Sequence, residues 1–218
     1  EFDGPEEVYG MRNQIFESLR ADFADDNRVK VVGHDNIITP ADGSISARRL
    51  GERYLADIVI WGWYRPTENP NMNIHIENLA PAQLATVQES AHLQPVTTLA
   101  ELESFAFQYK AGHETSALIS ALAGYLDYQA SDYDKALTRF NQSIERFSDS
   151  EQILVNQIDV YFYRGNTLIY LGRAAEAIED YGTVIQIDPE YVTAYTNRGV
   201  AHAKLGELQL ARNDYDEA

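Results

Sequence analysis

The chain has 218 residues, with 34 acidic against 17 basic side chains, a formal net charge of −17 and no cysteine. That length supports one sizeable core, or a repeat array plus one small domain. The acidic balance argues against nucleic acid or an anionic membrane face as partner, because both need clustered Lys and Arg, and the lack of cysteine excludes disulfides and thiolate metal sites and fits a cytoplasmic location.

In chain order, Val8, Ile15, Phe16, Leu19 and Phe23 recur at helical spacing, and Asp25-Asp26-Asn27 ends that helix. Residues 29–32 (Val-Lys-Val-Val) are a short β-rich run, and residues 46–55 give a second helix with Leu50, Tyr54 and Leu55 apolar. Ile58-Val59-Ile60-Trp61-Gly62-Trp63-Tyr64 reads as a buried strand, residues 66–70 as a turn, and residues 72–76 as the partner strand of a hairpin. This order, with the run A-R-R-L-G-E-R-Y-L-A-D-I-V-I-W-G over 47–62, resembles the amino-terminal domain of TolB-like and flagellar FlgO-like proteins. It is also similar to an α/β module that precedes tetratricopeptide arrays in large bacterial, signalling-type multidomain proteins. The resemblance implies a further strand before the first helix, for which only residues 1–3 are left, so the domain is expected to lack it. Residues 80–112 are a connector, in which Leu99, Leu102, Phe105, Ala106 and Tyr109 predict an amphipathic helix that caps the repeats.

Past the connector the sequence repeats itself. Tyr161, Arg164, Gly165, Leu171, Gly172, Ala177, Asp180 and Tyr181 recur 34 residues on, as Tyr195, Arg198, Gly199, Leu205, Gly206, Ala211, Asp214 and Tyr215. That period belongs to stacked helix pairs. The units strongly resemble tetratricopeptide repeats, with the pattern's small residues and aromatics at Gly165, Ala177 and Tyr181, Pro189 closing the second helix, and Gly172 and Gly206 ending first helices. One unit spans 158–191 and the next runs from 192 to the end. A more degenerate unit at 117–150 keeps Gly124, Ala136, Phe140 and Ile144, and an insertion of about seven residues (151–157) follows it. The fold class is therefore α+β: a small α/β domain over 1–79 with two helices and a three-stranded or larger mixed sheet, the connector, and an all-α solenoid over 113–218. The chain lacks an initiator Met and stops inside a second helix, so it reads as a fragment of something longer.

The resemblance implies a concave face, lined by the first helix of each unit, that binds a protein or peptide. Carried over position by position, that face holds Tyr125, Tyr128, Asp159, Phe162, Asn166, Tyr170, Thr196, Val200 and Lys204, to which Asn197 is added. Tyr125, Tyr128, Phe162 and Tyr170 together form a candidate aromatic-lined groove, although helical spacing does not separate groove from core. Asn166 and Asn197 sit at the two asparagine positions with which one variant of the fold grips a carboxyl terminus. That variant's lysine is replaced by Phe162, so a chaperone-tail receptor is not implied.

No phosphate-binding loop, dinucleotide-binding turn or other cofactor motif is present. His75 and Glu77 share one strand face, but two ligands do not make a metal site, and His34-Asp35 reads as a solvated loop pair. The preferred function is a non-catalytic interaction scaffold, with self-association a further possibility. The alternative is an α/β domain that senses a ligand and relays it through the repeats.

Overall fold

A computed structural model of the chain describes residues 6–33, 41, 43–65, 71–79, 99–102, 104–110, 115–147 and 157–218. The loop at 34–35, the turn at 66–70, the connector over 80–98 and the insertion at 151–156 lie outside the described residues. In chain order the elements are α1 (Glu6–Asp22), α2 (Gly43–Tyr54), β1 (Ile58–Arg65), β2 (Asn71–Asn78), β3 (Ser104–Lys110) and α3 (Thr115–Gln129). There follow α4 (Tyr133–Phe147), α5 (Ile158–Tyr170), α6 (Ala174–Ile187), α7 (Val192–Lys204) and α8 (Leu208–Glu217).

Both strands expected over 58–76 form, and β1 pairs antiparallel with β2 in the register Trp61↔His75. The third partner comes from an unexpected place. β3 pairs antiparallel with β2, Phe107 opposite Ile74, to give the order β1-β2-β3. The amphipathic helix expected around 99–109 is thus replaced by a strand. Residues 104–110 read Ser-Phe-Ala-Phe-Gln-Tyr-Lys, so aromatic residues alternate at 105, 107 and 109, and this period of two prevails once a strand edge is available to pair with. Residues 29–32 form no strand; Val29 and Val31 pack against the core while Val32 is exposed. Among the described residues the sheet is therefore antiparallel, not mixed.

Opposite faces of this sheet serve different purposes. Gly51 of α2 lies so close to Val59 and Leu79 that a Cβ there would come within 2.2 Å of the Leu79 side chain. Beside that contact Glu77, fully buried, accepts from Arg48 Nε at 3.1 Å and from Trp61 Nε1 at 3.2 Å, while the His75 ring stacks on Trp61 at 4.7 Å. The carboxylate is thereby satisfied by α2 and β1. On the other face Ile74 and Ile76 join Ile15, Leu19 and Phe23 in an apolar core that continues through α3 into α7.

Six helices pair as the repeat predicts, α3 with α4, α5 with α6 and α7 with α8. Within each pair the glycine of the first helix receives the aromatic ring of the second. A Cβ on Gly165 would sit 2.7 Å from the Tyr181 ring, one on Gly199 2.5 Å from Tyr215, and one on Gly124 2.9 Å from Phe140. The turn after α5 is closed by Arg173 N–H to Leu168 C=O at 2.8 Å, and that after α7 by Glu207 N–H to His202 C=O at 2.9 Å. Each passes through a glycine with φ of 76° or 78°. In the first unit Ser131 occupies that place at φ 60°, with Asp132 N–H bonded to Asp127 C=O.

Among the described residues, α1 caps the first unit, in place of the connector helix expected there. It packs against α3, Asp22 pairs with Arg139 at 2.8 Å, and Arg28, just beyond it, reaches Asp132 at 3.0 Å and the carbonyl of Ala130 at 3.1 Å.

Candidate peptide-binding groove

Helices α3, α5 and α7 contact one another in succession, which places them along the inner, concave side of the array. Two devices repeat along them and fix how their side chains are presented. Arg164 grips Asp180 through two bonds of 2.6 and 2.8 Å and lies over the Tyr161 ring; Arg198 grips Asp214 at 2.6 and 2.9 Å and lies over Tyr195. All six residues are among the recurring positions of the sequence, so the recurrence itself was the signal for a pair to which sequence reasoning gave no role. The first unit inverts the charges: Arg139 on α4 pairs with buried Asp127 on α3 at 2.6 Å.

At the centre of the face two asparagines meet. Asn197 Nδ2 donates to Asn166 Oδ1 at 2.8 Å, and the Tyr181 hydroxyl donates to the same oxygen at 2.7 Å. Asn197 then holds both main-chain polar groups of one residue: its Oδ1 accepts the N–H of Ala100 at 2.7 Å, and its Nδ2 donates to the carbonyl of Ala100 at 3.0 Å. The chain's own residues 99–102 therefore lie against the concave face, in neither helix nor strand. Leu99 is buried in the common core, and the Tyr128 hydroxyl donates to Glu101 Oε1. Among the described residues, Glu101 Oε2 and Asn166 Nδ2 are buried without a hydrogen-bond partner.

Glu101 sits among tyrosines. Its charge bears on Tyr125, Tyr128, Tyr163, Tyr170 and Tyr181. Burial pushes its carboxyl up to about 7, partly offset by the bond from Tyr128. The rings form a continuous ladder: Tyr125 and Tyr128 meet Tyr163 edge-on at 4.9 and 5.4 Å, and Tyr170 stacks on Tyr133 at 4.5 Å.

The residues named from the sequence divide accordingly. Asn166 and Asn197 are joined to each other, and Tyr125, Tyr128 and Tyr170 border Glu101. Tyr170 keeps half its surface exposed, at 49%. Phe162 is fully buried against Tyr163, Tyr181 and Tyr191, and Val200 is buried too, as are Tyr125, Tyr128, Asn166 and Asn197 with residues 99–102 in place. Asp159 accepts from the Tyr191 hydroxyl at 2.9 Å, a contact between the start and end of one unit; burial pushes its carboxyl up to about 6. Thr196 donates to the Val192 carbonyl of its own helix, and Lys204 is exposed at the end of α7. Sequence reasoning missed residues 100 and 101, Tyr163 and Tyr133. No local pattern could have found the first two, since Ala100 meets Asn197 across 97 positions of chain and Glu101 meets Tyr128 across 27.

Residues 165–206 match the family described as the TPR repeat. Heat shock protein STI1 of Saccharomyces cerevisiae is 30% identical over 95 residues, which is 44% of this chain and 15% of that protein. The DnaJ homolog subfamily C member 7 homolog of Dictyostelium discoideum is 25% identical over 152 residues, 67% of this chain and 25% of that protein. The chain thus spans a quarter or less of the length of these curated relatives. Similar solved structures include the first TPR of Spaghetti (RPAP3) bound to HSP90 peptide SRMEEVD, at 20% identity and TM-score 0.42, covering 49% of this chain and 80% of that one. A TPR2B-domain:pHsp70 complex of yeast Sti1 is 25% identical with TM-score 0.42, covering 48% of this chain and 78% of that one. The matched residues run from within α5 to the turn after α7.

Proposed function

We propose that this protein is a non-catalytic interaction module whose concave face receives a peptide segment of a partner protein through main-chain hydrogen bonds from Asn197, steadied by Asn166. The observation that carries the reading is the hold of Asn197 on both the N–H and the C=O of a single residue, Ala100. An asparagine amide that accepts an N–H and donates to a C=O reads backbone, which every peptide has, and leaves selectivity to the tyrosine ladder beside it. The α/β part serves as a scaffold: by pairing with β2, β3 anchors the chain next to the groove.

Panning a random peptide library against the full chain carrying Ala100→Pro, which removes the N–H that Asn197 accepts from its own chain, tests this. Selected peptides are expected to lose binding by about tenfold or more with Asn197→Ala, the scale of a lost pair of partly buried hydrogen bonds. Enrichment and affinity that survive Asn197→Ala and Asn166→Ala unchanged would refute the groove.

A further inference from the structure

The concave face is not vacant. Asn197, Asn166 and Tyr128, the polar groups best placed to hold a partner, already hold Ala100 and Glu101 of the same chain, or the asparagine that does so. We propose that residues 99–102 are an intramolecular occupant of the peptide groove, and that a partner peptide binds by displacing them. This rests on the reading of the groove given above and adds how access to it is regulated.

Three features of the contact favour an exchangeable occupant over a permanent part of the core. First, the hold on Ala100 is made to its main chain, so any peptide of suitable shape can replace it bond for bond. Second, the docked segment is incompletely satisfied: Glu101 Oε2 and Asn166 Nδ2 are buried without partners among the described residues, and unpaired buried polar atoms weaken the state that contains them. A partner that offers an acceptor to Asn166 and no carboxylate under Tyr128 gains where the resident segment loses. Third, Ser104 begins β3 two positions after Leu102 and is paired with Glu77 of β2, so the segment leaves the groove from a fixed anchor and stays beside it. A tethered competitor of this kind lowers a partner's apparent affinity by the fraction of time the groove is open.

A fluorescein-labelled peptide with the sequence of residues 96–104, Val-Thr-Thr-Leu-Ala-Glu-Leu-Glu-Ser, tests the proposal on the full chain. Ala100→Pro removes the N–H that Asn197 accepts and leaves every groove residue in place. That variant is expected to bind the peptide about tenfold or more tightly than the unaltered chain, and adding Asn197→Ala should abolish the gain. In the unaltered chain the Ala100 amide should exchange slowly with deuterium, and a saturating library-selected peptide should accelerate it. This second readout needs no substitution, so it decides the matter if Ala100→Pro disturbs the fold. If a selected peptide binds through Asn197 while Ala100 stays protected and Ala100→Pro changes nothing, the occupant proposal falls and the groove stands. Selected peptides indifferent to Asn197 in the Ala100→Pro chain sink the groove reading itself.

Discussion

Ser131 shows how one dihedral can be weighed at the scale of a residue. It closes the first unit's turn in the left-handed region, at φ 60°, where the other two units place Gly172 and Gly206. A side chain in that region costs roughly 1–2 kcal/mol, partly offset by the greater freedom of glycine in the unfolded chain. Ser131→Gly is expected to stabilise the protein by about 1 kcal/mol, seen as a melting temperature higher by a few degrees; an unchanged or lower value would show that the serine is not strained there. Arg164 is a second case. Its partner Asp180 is 3% exposed, so removing the guanidinium strands a carboxylate, whereas removing the carboxylate leaves a longer side chain that can turn toward water. Arg164→Ala should cost about 3 kcal/mol in urea unfolding, and Arg164→Ala with Asp180→Asn distinctly less, because the stranded charge is gone.

Elements were legible in the sequence wherever their causes are local. The 34-residue period, the glycine turns and the glycine-to-aromatic contacts all lie within one helix pair, which is why α5 to α8 follow the expectation closely. The hairpin of β1 and β2 was legible for the same reason. β3 was not, since its residues satisfy a helical and a strand period at once, and the choice is made by a strand edge far away in sequence. Nor was the path of residues 99–102, whose conformation is set by side chains on α3 and α7. The Gly165–Tyr181 contact gives the element-scale prediction. A Cβ at 165 would lie 2.7 Å from the ring, below any relaxed separation, so α5 and α6 must move apart to admit it. Gly165→Ala is expected to destabilise by about 1–3 kcal/mol despite the better helix propensity of alanine, as measured by chemical denaturation. Combining it with Tyr181→Leu should cost less than the two single changes added together, and strict additivity would mean the two residues do not meet in solution.

Across the whole molecule, the two parts meet where α1 packs on α3 and where residues 99–102 lie in the groove, and the second contact carries a group that titrates near neutrality. Glu101 holds its proton up to about 7 when docked, against 4.5 for an ordinary glutamate. A carboxyl whose value is raised by docking favours the docked state in full below the lower of these values. The advantage then shrinks as pH rises from about 4.5 to about 7, and above that window it is gone, since the carboxylate must then be buried charged. The groups that face Glu101 are the phenols of Tyr125, Tyr128, Tyr163, Tyr170 and Tyr181, whose values are all raised, so none of them titrates within that window. Asp159 also titrates there, at about 6, but its carboxylate meets Tyr191 and not residues 99–102. It therefore shifts global stability in the same direction without acting on the Ala100 amide. Deuterium exchange at Ala100, corrected for the intrinsic pH dependence of amides, should accordingly be slower at about pH 5 than at about pH 8. Glu101→Gln keeps the shape, cannot ionise, and should remove most of that difference while leaving the contribution of Asp159 to global unfolding intact. Protection at Ala100 that is flat or rises with pH in the unaltered chain would mean that Glu101 is not buried against Tyr128 in solution. Closure of the groove would then have to rest on the backbone contact with Asn197 alone.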